Sequence, residues 1–120
     1  MKKILLVDDE PNIIMSLEYT FKKNNFEVYI ARDGQEALDI LKNHIPDAII
    51  LDVMMPNVDG YATLEQIKMN PDLEHCKVIF LSAKNKETDI QKGLDLGASA
   101  YMTKPFSLKK LVDKVKELIE

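Results

Sequence analysis

Five stretches of β-favouring residues end near Val7, Ile30, Leu51, Leu81 and Met102, with 23, 21, 30 and 21 residues between successive ends. Each interval has room for one helix and one further strand, so the spacing dictates alternating β and α units. Four of the stretches are short apolar runs: Ile4 to Val7, Val28 to Ala31, Ala48 to Leu51 and Val78 to Leu81. Runs of this kind suit strands covered on both faces of a parallel sheet. The fifth, Ser99 to Met102, is weaker and suits an edge. A chain of 120 residues shared among five units leaves about 24 for each, whereas a (β/α)8 barrel needs roughly 250. One domain over residues 1–120 is expected.

The intervening segments carry helical spacing. It is clearest at the end, where Leu108, Leu111, Val112, Val115, Leu118 and Ile119 recur every three or four residues. Ile14, Leu17 and Phe21 mark a first helix, Ala37, Leu38 and Leu41 a second, and Leu64 and Ile67 a third. Punctuation agrees: Asp9 before Pro11 suits an N-cap, Asp33 with Glu36 a capping box, Pro71 a stop and Gly97 a left-handed helix end. The fourth helix, within Lys86 to Leu96, has Ile90, Leu94 and Leu96 as its larger apolar residues. It also contains Gly93, at a cost of about 1 kcal/mol relative to alanine, and is expected to be the least firmly held. The architecture expected is a doubly wound α/β fold, flavodoxin-like, with five parallel strands in the order 2-1-3-4-5.

Several function classes are disfavoured. No apolar run exceeds four residues, while a membrane span needs about 20. Lys2 and Lys3 imitate the start of a signal peptide, but Asp8-Asp9-Glu10 closes the apolar run at once, and a cytoplasmic location is expected. Cys76 has no second cysteine to pair with. A net charge of −4, with Arg32 the only arginine, offers little for direct nucleic-acid binding.

In such sheets, sites form outside the carboxyl ends of the strands. Strand one is followed by Asp8 and Asp9, strand three by Asp52, strand four by Ser82 and strand five by Lys104. With strand three between strands one and four, Asp52 becomes the centre of the group. Clustered carboxylates repel unless a cation lies between them, and an all-oxygen donor set selects a hard ion such as Mg²⁺. Each residue also has a plainer reading. Asp9 and Ser82 can cap local turns, Lys104 can be a solvated lysine, and Tyr101 can be an ordinary strand aromatic. The joint pattern at four strand ends is what capping does not explain.

Those residues resemble the receiver domain of two-component response regulators, of the single-domain chemotaxis type, over essentially the whole chain. The resemblance rests on Asp8-Asp9, Asp52-Val53-Met54-Met55-Pro56 with Asp59-Gly60, Ser82-Ala83 and Lys104-Pro105-Phe106. It implies that Asp52 accepts a phosphoryl group from a phosphohistidine. It also implies that Asp9 and Asp52 bind Mg²⁺ directly with the Met54 carbonyl while Asp8 assists, and that Ser82 and Lys104 hold the phosphoryl oxygens. A cis Lys104-Pro105 peptide is implied, as is a switch from Ser82 to Tyr101 that alters the face of helix four, strand five and helix five. The implied partners are a sensor histidine kinase or histidine phosphotransfer protein and a downstream effector, with the chain a monomer or a phosphorylation-dependent dimer. Such a domain is a phosphoacceptor rather than a classical enzyme.

Two rivals stay open at the level of sequence. An aspartate-nucleophile phosphatase would need a second aspartate two residues after Asp52, where Met54 stands, and a pure docking module would not need all five polar residues. A nucleotide site lacks support, because the glycines form neither a GxGxxG nor a P-loop pattern.

Overall fold

The apolar run after Lys2 and Lys3 pairs on both sides, and the rest of the sheet is arranged around it. A computed structural model describes residues 1–120. Its strands are β1 (Lys2–Val7), β2 (Phe26–Ala31), β3 (Ala48–Leu51), β4 (Lys77–Ser82) and β5 (Ala100–Thr103). All pairings are parallel, in the order β2-β1-β3-β4-β5. The helices are α1 (Pro11–Lys23), α2 (Gly34–Leu41), α3 (Gly60–Lys68), α4 (Glu87–Asp95) and α5 (Leu108–Ile119), with a 3-10 turn at Pro71–Leu73. None is long and apolar enough to cross a membrane.

The two faces of the sheet bury separate cores. Leu5, Val7, Ile49, Leu51, Val78 and Phe80 pack with Ala37, Leu41, Tyr61, Leu64 and Ile67 of α2 and α3. On the other face, Ile4, Leu6, Ile50, Ile79 and Leu81 pack with Leu17 and Phe21 of α1 and Leu111 and Val115 of α5. Alternate residues of one strand therefore serve opposite layers, which is why the central runs are apolar throughout.

Several local expectations are corrected. β2 is covered on both faces only in part: it is an outer strand, and Tyr29 on one core and Val28 and Ile30 on the other are half-buried. The N-cap of α1 is Glu10 rather than Asp9, with Pro11 as its first helical residue and no side-chain cap. The Asp33 carboxylate accepts the Glu36 N–H, but the Glu36 carboxylate takes the N–H of Arg32, so the capping box is displaced by one residue. α3 ends at Lys68, and Pro71 opens the following 3-10 turn. Gly97 does adopt positive φ after α4. Cys76 is buried and donates to the Pro46 carbonyl, and burial pushes its thiol up to about 11, so it stays protonated.

Candidate phosphoacceptor site

Two sheet hydrogen bonds set the centre of the site. The Asp8 N–H donates to the Ala31 carbonyl at 3.2 Å, and the Asp52 N–H donates to the Val7 carbonyl at 3.0 Å. Both continue the parallel ladder one residue beyond its assigned end, so Asp8 and Asp52 emerge side by side from adjacent strands. Each side chain is buried. The Asp8 carboxylate accepts the Glu10 N–H at 2.9 Å, which turns the chain into α1, and the Asp52 carboxylate accepts the Met54 N–H at 3.3 Å. α3 begins close against this loop. A β-carbon on Gly60 would overlap the Asp52 carbonyl oxygen, while the Gly60 N–H donates to Val53, so glycine is required for that approach.

Lys104 enters from β5. Its N–H donates to the Ser82 carbonyl at 2.8 Å, and the peptide that follows it, Lys104-Pro105, is cis. The ammonium donates to Asp8 at 3.0 Å and to Glu10 at 2.8 Å, and it forms an ion pair with Asp52 at 3.6 Å. Ser82 is fully buried at the end of β4, where its hydroxyl oxygen accepts the Lys84 N–H at 3.1 Å. Tyr101 lies half-buried on β5 with its hydroxyl donating to the Lys84 carbonyl at 2.8 Å, beside the hydroxyls of Ser82 and Tyr61. The loop after Ser82 is thus held at Lys84 from both sides.

Burial governs the electrostatics. Removal from water pushes the Asp52 carboxyl up to about 6, and the neighbouring Asp8 charge adds to that while Lys104 opposes it. Burial likewise raises Asp8 above the ordinary carboxylate range, against the lowering effect of the Glu10 N–H and Lys104. For Lys104, burial alone would weaken the ammonium, but the hydrogen bonds to Glu10 and Asp8 and the charge of Asp52 outweigh it and hold it firmly protonated. The attraction in these pairs therefore shows on the lysine, while on the carboxylates desolvation is larger. The two buried acids gain from any further cation nearby.

Carboxylate oxygens of Asp8, Glu10 and Asp52 all lie within 4.8 Å of one another, an oxygen set that could hold a divalent metal. Asp9, expected as a direct ligand, is exposed and is not one of these three. It lines a neighbouring depression of about 480 Å³ with Met54, Lys84 and Lys92, and its charge still raises the proton affinity of Asp52. Met54 is 55% exposed there. The donors fit Mg²⁺, because they are hard oxygens and two of them are strained by burial without full compensation.

Two residues of the site carry no clear signal in the sequence. Glu10 reads there only as the acid that closes the first apolar run. Tyr61, on α3, is buried and donates its hydroxyl to the Asp89 carbonyl of α4 at 3.0 Å, with the Lys92 ammonium 4.5 Å from its ring centre. The only local signal for Tyr61 was its place directly after Asp59-Gly60.

A centrally placed buried aspartate beside a second acid and a lysine thus stands at the carboxyl edge of a 2-1-3-4-5 sheet. Residues 4–116 match the model of the response regulator receiver domain. The chain belongs to that family, whose members are signalling domains with a phosphoacceptor role. It is similar to the receiver domain of Francisella response regulator 1452, at 33% identity and a TM-score of 0.92, covering 99% of this chain and 97% of that one. The receiver domain of a signal transduction histidine kinase from Syntrophus aciditrophicus is 34% identical, with a TM-score of 0.91 and coverage of 99% and 90%. Chemotaxis protein CheY4 of Vibrio cholerae is 29% identical, with a TM-score of 0.92 and 98% of each chain covered.

Proposed function

We propose that residues 1–120 act as one receiver module in which Asp52 takes a phosphoryl group from the phosphohistidine of a sensor kinase or phosphotransfer protein. The observation that carries this reading is the buried Asp52 carboxylate with the Lys104 ammonium 3.6 Å away and Asp8 beside it. In the transfer, an Asp52 oxygen forms the new P–O bond as the P–N bond breaks, and the imidazole leaves with the electron pair. A carboxylate is a weak nucleophile, so positioning and charge neutralisation supply the catalysis. Asp8, Asp52 and the Met54 carbonyl are the groups that would hold Mg²⁺, with Asp9 turning in from its exposed position to join them while Glu10 stays on Lys104; when bound, the ion would neutralise phosphoryl oxygens. Lys104 neutralises a further oxygen, and the Ser82 hydroxyl turns from the Lys84 N–H to donate to another.

The response follows from the same contacts. Once the Ser82 hydroxyl is engaged by the phosphoryl group, the Lys84 loop and Tyr101 lose a shared partner. The surface of α4, β5 and α5 is then the element that changes for an effector. The module acts as a monomer or as a phosphorylation-dependent dimer, without touching nucleic acid or membrane itself.

Mass spectrometry after exposure to a small-molecule phosphodonor and Mg²⁺ tests the assignment. Label is expected on Asp52 alone, absent from Asp52→Asn and suppressed by chelator. Equal labelling of Asp52→Asn removes the proposal. Lys104→Met is expected to keep or improve Mg²⁺ affinity, since a competing cation is gone, while impairing phosphorylation or its propagation. Normal phosphorylation together with normal effector binding in that variant would contradict the role of Lys104.

A further inference from the structure

Glu10 stands at the N-cap of α1 but makes no side-chain cap, and its carboxylate is committed instead to a lysine 94 residues away in the chain. The three acids around that lysine are unequal partners. Glu10 is nearest at 2.8 Å, Asp8 follows at 3.0 Å, and Asp52 is outside hydrogen-bond range at 3.6 Å. An ammonium has three donors, and here two are used on Glu10 and Asp8. Asp8 is itself fixed by the Glu10 N–H, so Glu10 grips the lysine with its side chain and steadies the second grip with its backbone.

Exposure also separates the partners. The side chains of Lys104 and Asp8 are 12% and 4% exposed, whereas that of Glu10 is 58% exposed. If Lys104 leaves Asp8, a buried carboxylate loses its counter-charge, which is costly. If it leaves Glu10, that carboxylate is taken up by water at little cost. Glu10 is therefore the contact that can be exchanged. A phosphoryl group arriving on Asp52 brings a larger negative charge and several strong acceptor oxygens into the buried side of the same ammonium.

Resting on the reading of Asp52 as the phosphoacceptor, we propose that Glu10 is a positioning residue for phosphoryl transfer. Its carboxylate holds Lys104 away from Asp52 in the resting chain and releases it when the phosphoryl group arrives. Release is part of the cost of transfer, so weakening the hold speeds the reaction. A neutral side chain of the same shape, Glu10→Gln, leaves the lysine freer to meet the phosphoryl oxygens. The shorter acid, Glu10→Asp, keeps the charge but draws the carboxylate back from the lysine.

The experiment measures phosphorylation rates of the wild type, Glu10→Gln and Glu10→Asp with a small-molecule phosphodonor in saturating Mg²⁺, the site of labelling being read by mass spectrometry. The nitrogen-15 resonance of the Lys104 ammonium is followed in parallel in chelator-treated, unphosphorylated protein. Both variants are expected to label Asp52 about two- to fivefold faster than the wild type, the range expected for losing one charge-assisted contact with an exposed partner. Both are also expected to shift the ammonium resonance. Faster labelling by Glu10→Gln with wild-type behaviour in Glu10→Asp would overturn the proposal in favour of simple repulsion of the donor by the Glu10 charge. Unchanged or slower labelling in both, or an ammonium resonance that neither variant moves, also overturns it. A wild-type chain without label on Asp52 overturns the reading of the site as well. Label on Asp52 with unaltered variant rates removes only the role of Glu10.

Discussion

The ends of β1 and β3 and the helix α4 lie on either side of Ser82, and they are held in different ways. β1 is paired along both edges, and from Ile4 to Val7 every residue is buried, as is all of β3. Asp8 and Asp52 extend that framework through backbone hydrogen bonds. In α4 the only buried residue is Gly93, and Leu94 is 39% exposed. A β-carbon there would come within 2.9 Å of the Phe80 ring and 3.0 Å of the Tyr101 ring, so glycine lets the helix lie flat on two aromatics. Its remaining ties include the Tyr61 hydroxyl on the Asp89 carbonyl, and Tyr101 on the loop just before it. Asp8 and the proposed phosphoacceptor Asp52 thus stand on the most fully buried and paired part of the sheet. The helix proposed to report phosphorylation has Gly93 as its only buried residue and is tied by a few polar contacts, features expected of a low-stability element.

The largest test of that contrast is truncation. Ile49→Ala, in β3, is expected to cost about 2–5 kcal/mol in urea unfolding, and Leu94→Ala, in α4, less than about 1 kcal/mol. Equal losses would show α4 to be as firmly held as the central strands. Next in size is the charge at Asp52. Its proton affinity is raised from the ordinary 3.8 to about 6, so between those pH values the folded chain keeps a proton that the unfolded chain has released. Stability contributed by this group is therefore present at low pH and lost as pH rises through about 6. In chelator, Asp52→Asn is expected to exceed the wild type by on the order of 2–3 kcal/mol at neutral pH, with the gap closing as pH falls toward 4. A gap that widens on acidification would contradict the sign.

Tyr61→Phe removes one donor from the Asp89 carbonyl, a change of about 1 kcal/mol. Amide exchange in α4 is expected to quicken roughly fivefold, with β1 and β3 unaffected. Beryllofluoride on Asp52 should alter exchange most within residues 86–96 and around Tyr101, and change confined to α1 and α2 would oppose the assignment of α4 as the reporter. The smallest effect concerns loss of the phosphoryl group. Met54 and Lys84 line the depression beside the site, and neither offers a carboxylate or amide to orient a water. Met54→Asn combined with Lys84→Glu is expected to shorten the lifetime of phosphorylated Asp52 severalfold, as followed by mass spectrometry. A lifetime equal to that of the parent would show that the two side chains do not shield the phosphoryl group.

The sequence by itself determined the five units and the strand ends that carry Asp8, Asp52, Ser82 and Lys104, while the strand order was only expected from the fold class and was established by the pairing of the strands. The units and strand ends depend on local patterns: an apolar run bounded by charges, a helical period, a glycine or proline at a boundary. It also placed the weakest helix, because Gly93 and the scarcity of apolar anchors are visible in eleven residues, Lys86 to Leu96. Only the tertiary structure decided which acid grips Lys104. Glu10 and Asp9 are adjacent carboxylates of which the sequence singles out only Asp9, and the turn fixed by Asp8 sends Glu10, not Asp9, to the lysine. It likewise decided that Tyr61 ties α3 to α4 and that Gly93 is there for two rings. Those contacts join residues 28 apart for Tyr61 and Asp89 and 94 apart for Glu10 and Lys104. Periodicity reports which face of an element is apolar, but the partner across a gap depends on where the other elements come to rest.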